Sequence, residues 1–250
     1  MRFPQLRWLN TLGLALVLVL NYLANALPIN GYTTGELSDM YPNLFVPAGF
    51  TFAIWGVIYL ALLGFIIYQW VAPTAAGPVT NIGSLFFVSC VANATWILAW
   101  QYQQLPLSLL IMLLLFFTLL RIYQRLEIGQ REPAGPAERW LARAPFSLYL
   151  GWITVATIAN VTTLLVDVGY SGAPLGAANW AALVIAVAVI IGLLVLYRRH
   201  DWIYTAVLIW AFYGIYAKRS GLDDLPTVML LVLAVGGGLL VIGALLKIAR

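Results

Sequence analysis

An all-α, polytopic transmembrane helix bundle of about eight spans is the fold this sequence predicts. Three observations carry the prediction. First, 63% of the 250 residues are apolar and only 9% are charged, whereas a soluble domain carries roughly 25% charged residues. Second, eight apolar runs contain no Asp, Glu, Lys or Arg: 8–27, 48–70, 82–102, 105–120, 145–166, 176–197, 202–217 and 225–246. A spanning helix needs about 20 such residues. Third, the basic residues cluster in alternate loops. The same composition excludes a secreted scaffold, a disordered chain and a nucleic-acid binder. Cys90 is the single cysteine and His200 the single histidine, which excludes an intramolecular disulfide and a multi-histidine metal site.

The runs follow in order. In the first, Asn10, Asn21 and Asn25 fall within about 60° of one another at 100° per residue. Such a polar stripe suits a helix packed inside a bundle. The rival reading, a signal peptide ending at Ala24-Asn25-Ala26, does not account for the stripe. The loop 28–47 mixes turn formers with Tyr32, Tyr41 and Phe45. It reads either as a lid over the bundle mouth or as an interfacial aromatic loop. The second run places Phe52, Trp55 and Tyr59 at i, i+3 and i+7, and the third repeats that spacing with Asn93, Trp96 and Trp100. The fourth and seventh runs are short, so their helices are expected to extend into the flanks. Between the fourth and fifth, the charged stretch 121–143 with Pro133-Ala-Gly-Pro136 reads as a solvated linker. The fifth run carries Trp152, Ala156 and Asn160 at i, i+4 and i+8. A tight charged turn at 198–201 separates the sixth and seventh runs, with His200 and Asp201 read as solvated. The eighth holds Gly236-Gly237-Gly238, read as a site of close helix packing.

The loop charges orient the chain. With a cytoplasmic N-terminus and eight spans, Arg2, Arg7, Arg121, Arg125, Arg131, Arg139, Arg143, Arg198, Arg199, Lys247 and Arg250 all fall on the cytoplasmic side. Lys218 and Arg219 remain outside, beside Asp223 and Asp224. This obeys the positive-inside rule and places both termini in the cytoplasm, as in a bacterial inner-membrane protein.

The spans hold no ionisable residue of the kind that ion-coupled transporters and proton pumps place at membrane depth. They hold no lysine for a retinal Schiff base, and no base or ligand set for a hydrolase or metalloenzyme. No catalytic residue and no metal ligand is therefore assigned. They do offer tryptophan, tyrosine and asparagine at helical spacing. Two readings follow. One is an aromatic-walled cavity with a few amides, suited to a flat, largely apolar ligand. The other is helix packing with interhelical amide bonds.

At these residues the sequence resembles the tryptophan-rich sensory protein family, also called the translocator protein or peripheral benzodiazepine receptor family. Pro47-Ala-Gly-Phe-Thr-Phe-Ala-Ile-Trp55-Gly56-Val-Ile-Tyr59 is similar to the family's second helix. Ala92-Asn93-Ala-Thr-Trp96 with Trp100 is similar to the third, and Trp152 followed by Asn160 to the fifth. There are departures: Gly49 or Phe50 stands where a Trp is usual, Ala53 and Ile97-Leu98 stand where prolines are usual, and the fourth helix lacks an acidic residue. The resemblance covers roughly residues 8–166. It implies a five-helix bundle over 1–166 and a three-helix membrane extension over 167–250.

By position, the resemblance implies that Phe52, Trp55, Tyr59, Asn93, Trp96, Trp100, Trp152 and Asn160 line a ligand pocket closed by the first loop. It further implies a receptor or sensor for a porphyrin- or haem-type tetrapyrrole or a sterol-like molecule. No cofactor is required, and a bound tetrapyrrole is the group the resemblance admits. The partners implied are the bilayer, the hydrophobic ligand and a second copy in a homodimer, with no nucleic acid. Two other readings stay open: a transporter that moves the last three helices against the first five, and a light-dependent porphyrin-degrading enzyme.

Overall fold

The computed structural model describes residues 2–27 and 29–248, with the side chain of Thr74 left aside. Pro28, at the start of the first loop, and Arg250, among the basic residues, lie outside the described residues. Among the described residues every regular element is helical. The helices are α1 (Phe3–Ala26), α2 (Thr34–Asp39), α3 (Ile54–Val71), α4 (Ala76–Ile82), α5 (Leu85–Gln101), α6 (Leu105–Arg125), α7 (Ala144–Asp167), α8 (Ala177–Arg199), α9 (Trp202–Gly221) and α10 (Thr227–Ile248).

Six spans among the described residues are long and apolar enough to cross a membrane, and the pair α4 and α5, bent by 59°, makes a seventh. The bend falls at Gly83, whose φ of 58° suits a residue without a side chain. With α9, these seven cover the eight expected runs. Helix α9 has the length of a span but is less apolar, because it carries Trp, Tyr and the Lys218–Arg219 end. The short fourth and seventh runs extend to Arg125 and Gly221 as expected. Proline in the first turn of α1, α6 and α7 leaves no further donor unsatisfied there.

The polarity is that of a membrane protein, with amides inside and apolar side chains outside. Asn10, Gln69, Asn93 and Gln101 are fully buried, while Leu12, Val19, Leu60, Leu110, Phe117, Ile190 and Val235 are exposed. An apolar outer face is stable against lipid tails, whereas buried amides need partners. Asn10 donates to Gln69 Oε1 (3.0 Å) and Asn21 to Asn93 Oδ1 (2.8 Å). Asn25, the third member of the stripe, is exposed and donates back to the Asn21 carbonyl.

Helices α1, α3, α7, α6 and α5 close into a ring, each packed on the next. Helices α8, α9 and α10 pack on one another, and α9 lies along α7. That last crossing is close because of Gly151, where a Cβ would sit 3.1 Å from the Tyr204 carbonyl oxygen. Of the three-glycine run, Gly236 is the packing residue: a Cβ there would come within 2.5 Å of Val189, and Gly237 and Gly238 face open space.

The loops sort to two ends as the alternation of spans requires. At one end Lys218 pairs with Asp39 (2.5 Å) and Tyr41 donates to Gln103 (3.3 Å). At the other, Arg125 reaches the Asn81 carbonyl and Tyr123 donates to Asp201 Oδ2 (2.9 Å). Two expectations for this second end are corrected. Asp201 is 6% exposed, not solvated, because it caps α9 through the Tyr204 amide and accepts from Tyr123. Burial holds its carboxyl above the usual carboxylate range, and its hydrogen-bond donors pull it back only in part. His200 beside it is exposed, at φ 55°. Nor is the 121–143 stretch simply solvated. Glu138 and Arg143 are both buried in it, paired at 2.5 Å, and Arg131 joins Glu138 at 3.1 Å.

Candidate functional site

The first loop folds over the ring. Helix α2 begins with a capping box, in which Thr33 Oγ1 accepts from the Glu36 amide and Glu36 Oε2 accepts from the Thr33 amide. The Thr33 amide, and the Thr33 hydroxyl that also donates to Glu36 Oε2, hold the Glu36 carboxyl below its usual range. The end of α5 then fixes the loop. Gln101 Nε2 donates to the carbonyls of Ala24 (3.1 Å), Ile29 (3.3 Å) and Tyr32 (2.7 Å). Trp100 donates its indole N–H to the Thr34 carbonyl (3.3 Å). Of the two readings of this loop, the lid is the one that matches its position.

Beneath the lid, the aromatic side chains form a ladder. Tyr59 stacks on Trp55 with ring centres 5.5 Å apart, Trp55 meets Trp96 at 6.2 Å, and Trp96 stacks on Trp100 at 6.1 Å. Trp152 meets Trp55 edge-on at 6.1 Å, and Phe52 meets Trp152 in the same way. Helical spacing on α3, α5 and α7 brings these rings together. The 3₁₀ turn Gly49–Ala53 aims Phe52 at them.

Two cavities share this ladder. The inner one is small, about 40 Å³, and is lined by Phe52, Trp55, Trp96, Trp100, Trp152 and Asn160, with Thr34, Ser38 and Pro47 closing it from the lid. The outer one, about 460 Å³, lies between α1 and α3 and is lined by Leu18, Asn21, Tyr22, Asn25, Thr34, Gly35, Phe52, Trp55, Tyr59 and Ile97. Phe52, Trp55 and Thr34 belong to both walls and so divide one space from the other. Tyr22 is 67% exposed, which puts the outer cavity's edge on the flank of the bundle.

Seven of the eight expected site residues thus line one cavity or both. Asn93 lines neither. It is fully buried, accepts from Asn21 and donates to Tyr149 Oη (2.8 Å), tying α1, α5 and α7 together. Asn160 combines both roles. It lines the inner cavity, yet its Oδ1 already accepts from Trp96 Nε1 (3.3 Å) and Ser108 Oγ (2.9 Å), and its Nδ2 donates to the Ala156 carbonyl. The Trp152 indole is different. The residue is 3% exposed and its Nε1–H meets no acceptor. A buried donor left unmatched is costly, and this one belongs to a cavity wall.

Reading the sequence missed Ser108, Tyr149, Thr34 and Ser38. Ser108 and Tyr149 were legible only as polar atoms in apolar runs, since their partners lie on other helices. The support from α9 was missed too. Trp210 donates to the Thr51 carbonyl (2.9 Å), and the Ala48 amide donates to the Gly214 carbonyl (3.0 Å), so α9 holds the turn that carries Phe52. Among the described residues no cluster of His, Cys, Asp or Glu could hold a metal ion. The walls of both cavities carry ring faces, hydroxyls and amides, and no ionisable acid or base stronger than Tyr59.

The family model for TSPO-like protein matches residues 7–246 and so includes the last three helices as well as the first five. No curated protein and no solved structure matches the chain.

Proposed function

The chain belongs to the TSPO-like protein family, and from that membership we propose that it is a membrane binding protein, of receptor or sensor type, for a flat hydrophobic ligand of the tetrapyrrole class. The observation that carries this reading is the ladder Tyr59–Trp55–Trp96–Trp100, set between a cavity of about 40 Å³ and one of about 460 Å³. Ligand pockets range over roughly 300–1,000 Å³, so the outer cavity has the needed room and the inner one does not. A flat ring enters from the flank between α1 and α3 and stacks on Trp55 and Tyr59. Turning Trp55 joins the two cavities and brings the ligand to the unmatched Trp152 N–H. Stacking on aromatic faces supplies affinity, and the unmatched polar groups of the walls, the Trp152 N–H with Tyr59 Oη and Thr34 Oγ1, supply orientation.

Protoporphyrin IX titrated into the protein in phosphatidylcholine nanodiscs tests the reading, with tryptophan emission and the porphyrin absorption band followed together. Saturable quenching at a fixed stoichiometry, with the porphyrin recovered intact in light and in dark, supports a binding protein. Quenching that rises linearly, as in empty nanodiscs, contradicts it. Loss of porphyrin under illumination favours the enzymatic reading, and flux across proteoliposomes favours transport.

A further inference from the structure

A third cavity, of about 370 Å³, lies at the lid end of the bundle, away from the aromatic ladder. The loop segment 42–45 forms one side, the end of α7 and the start of α8 form two more, and Arg219 of α9 closes it with Asp224. Its walls are mostly apolar, with Phe45, Leu165 and Val184 among them. Its polar groups are unevenly matched. Asn43 is spent on the loop: its Oδ1 accepts from the Phe45 and Val46 amides, and its Nδ2 donates to the Tyr41 carbonyl. Thr162 donates to the Ile158 carbonyl.

Two donors remain. Arg219, whose side chain is 8% exposed, pairs through Nη1 with Asp224 Oδ2 at 2.7 Å, but its buried Nε–H meets no acceptor. Trp180, its ring held edge-on against Tyr170 at 5.3 Å, buries an Nε1–H that also meets none. A guanidinium and an indole N–H can only donate. Two unmatched donors on one apolar cavity call for a ligand head that only accepts, and the Arg219 charge favours an anionic one. Asp224, 43% exposed and part of the same wall, offsets that charge in part and competes with an anionic head for Arg219.

We propose that this cavity is a second ligand site, which holds the anionic head of an amphiphile on Arg219 and Trp180 and its apolar tail along Phe45, Leu165 and Val184. It does not depend on the tetrapyrrole reading, because the two sites share no lining residue.

The test is binding of radiolabelled decanoate to the full chain in phosphatidylcholine nanodiscs, with empty nanodiscs subtracted. Saturable binding is expected, with methyl decanoate a poor competitor because it lacks the charge. Trp180→Phe keeps the ring and loses the donor, and should weaken binding about tenfold. Asp224→Asn frees Arg219 from its competing carboxylate and should tighten binding severalfold, a gain that a misfolded variant cannot give. Repeating the titration with phosphatidylglycerol in the discs identifies the source of the head group: a weaker apparent affinity identifies an anionic lipid, and an unchanged one a free acid. The proposal is overturned if binding does not saturate above empty discs, if the methyl ester competes equally, or if Trp180→Phe and Asp224→Asn both bind as the wild type does.

Discussion

At the scale of single residues, the structure separates side chains that hold the bundle from side chains free to meet a ligand. Asn93 belongs to the first kind. Asn93→Leu strands the Tyr149 hydroxyl, a buried polar group that costs about 1–3 kcal/mol when unpaired, and leaves Asn21 bonded only within its own helix, to the Val17 carbonyl. A fall in melting temperature is the expected result, with porphyrin affinity of the folded fraction changed much less. Trp152 belongs to the second kind. Trp152→Phe keeps the ring contacts with Phe52 and Trp55 and removes an N–H that has no protein partner. Stability should hold while porphyrin affinity falls about tenfold, or about 1.4 kcal/mol. Titration calorimetry and thermal melting of the two variants distinguish these roles. The sequence could not separate them, because a buried asparagine needs partners whether it bridges helices or faces a ligand. Only the adjacency of α1, α5 and α7 decides.

At the scale of elements, the helices follow from apolar length, and their ends follow from local chemistry. The Asp201 turn shows both what was legible and what was not. Its tightness and its charges predicted a break between α8 and α9. Its burial was hidden, because Arg198, Arg199 and His200 beside it suggest a wet turn, and Tyr123, its partner, comes from α6. A raised folded-state pKa means that folding favours the protonated carboxyl. The stability it contributes is then fully present below the unfolded pKa and is lost as pH rises through the folded one. Asp201→Asn keeps the cap for Tyr204 through Oδ1 and reverses the bond to Tyr123, its Nδ2 donating to Tyr123 Oη, without the charge. It should flatten this pH dependence and leave the melting temperature at pH 7 equal or higher. Asp201→Ala loses the cap, worth about 1 kcal/mol, and strands the Tyr123 hydroxyl, so it should melt lower. Melting curves of the three proteins from pH 4 to pH 8, roughly the span over which carboxyl shifts act, check both expectations.

At the scale of the whole molecule, an apolar outer face, buried amides and loops sorted to two ends describe an integral multi-pass membrane protein of the TSPO-like family. The bundle was legible in the sequence because charge-free runs and loop charges report length and alternation directly. The dependence of the site on α9 was not legible, since Trp210 and Thr51 are 159 residues apart in the chain. The charge bias predicts the absolute orientation, and Cys90, the single cysteine, is buried. In a Cys90→Ser background, a membrane-impermeant maleimide added to intact cells should label Ser171→Cys, at the lid end, and spare Gln130→Cys until the membrane is broken. The reverse pattern would invert the topology.

Under the proposed function, one aromatic site in the five-helix ring binds the ligand and α9 only supports it. The most direct test compares protoporphyrin IX binding by wild type, Trp55→Ala and Trp210→Ala, read from the porphyrin absorption band in nanodiscs. Trp55 is part of the shared wall of both cavities, whereas Trp210 lines neither and touches the turn that carries Phe52 through the Thr51 carbonyl and the Phe50 ring. Trp55→Ala is expected to abolish saturable binding in a protein that still melts cooperatively, and Trp210→Ala to weaken it by a smaller factor. Binding that survives Trp55→Ala and is lost in Trp210→Ala would place the site among the last three helices and overturn the proposed function of the ring.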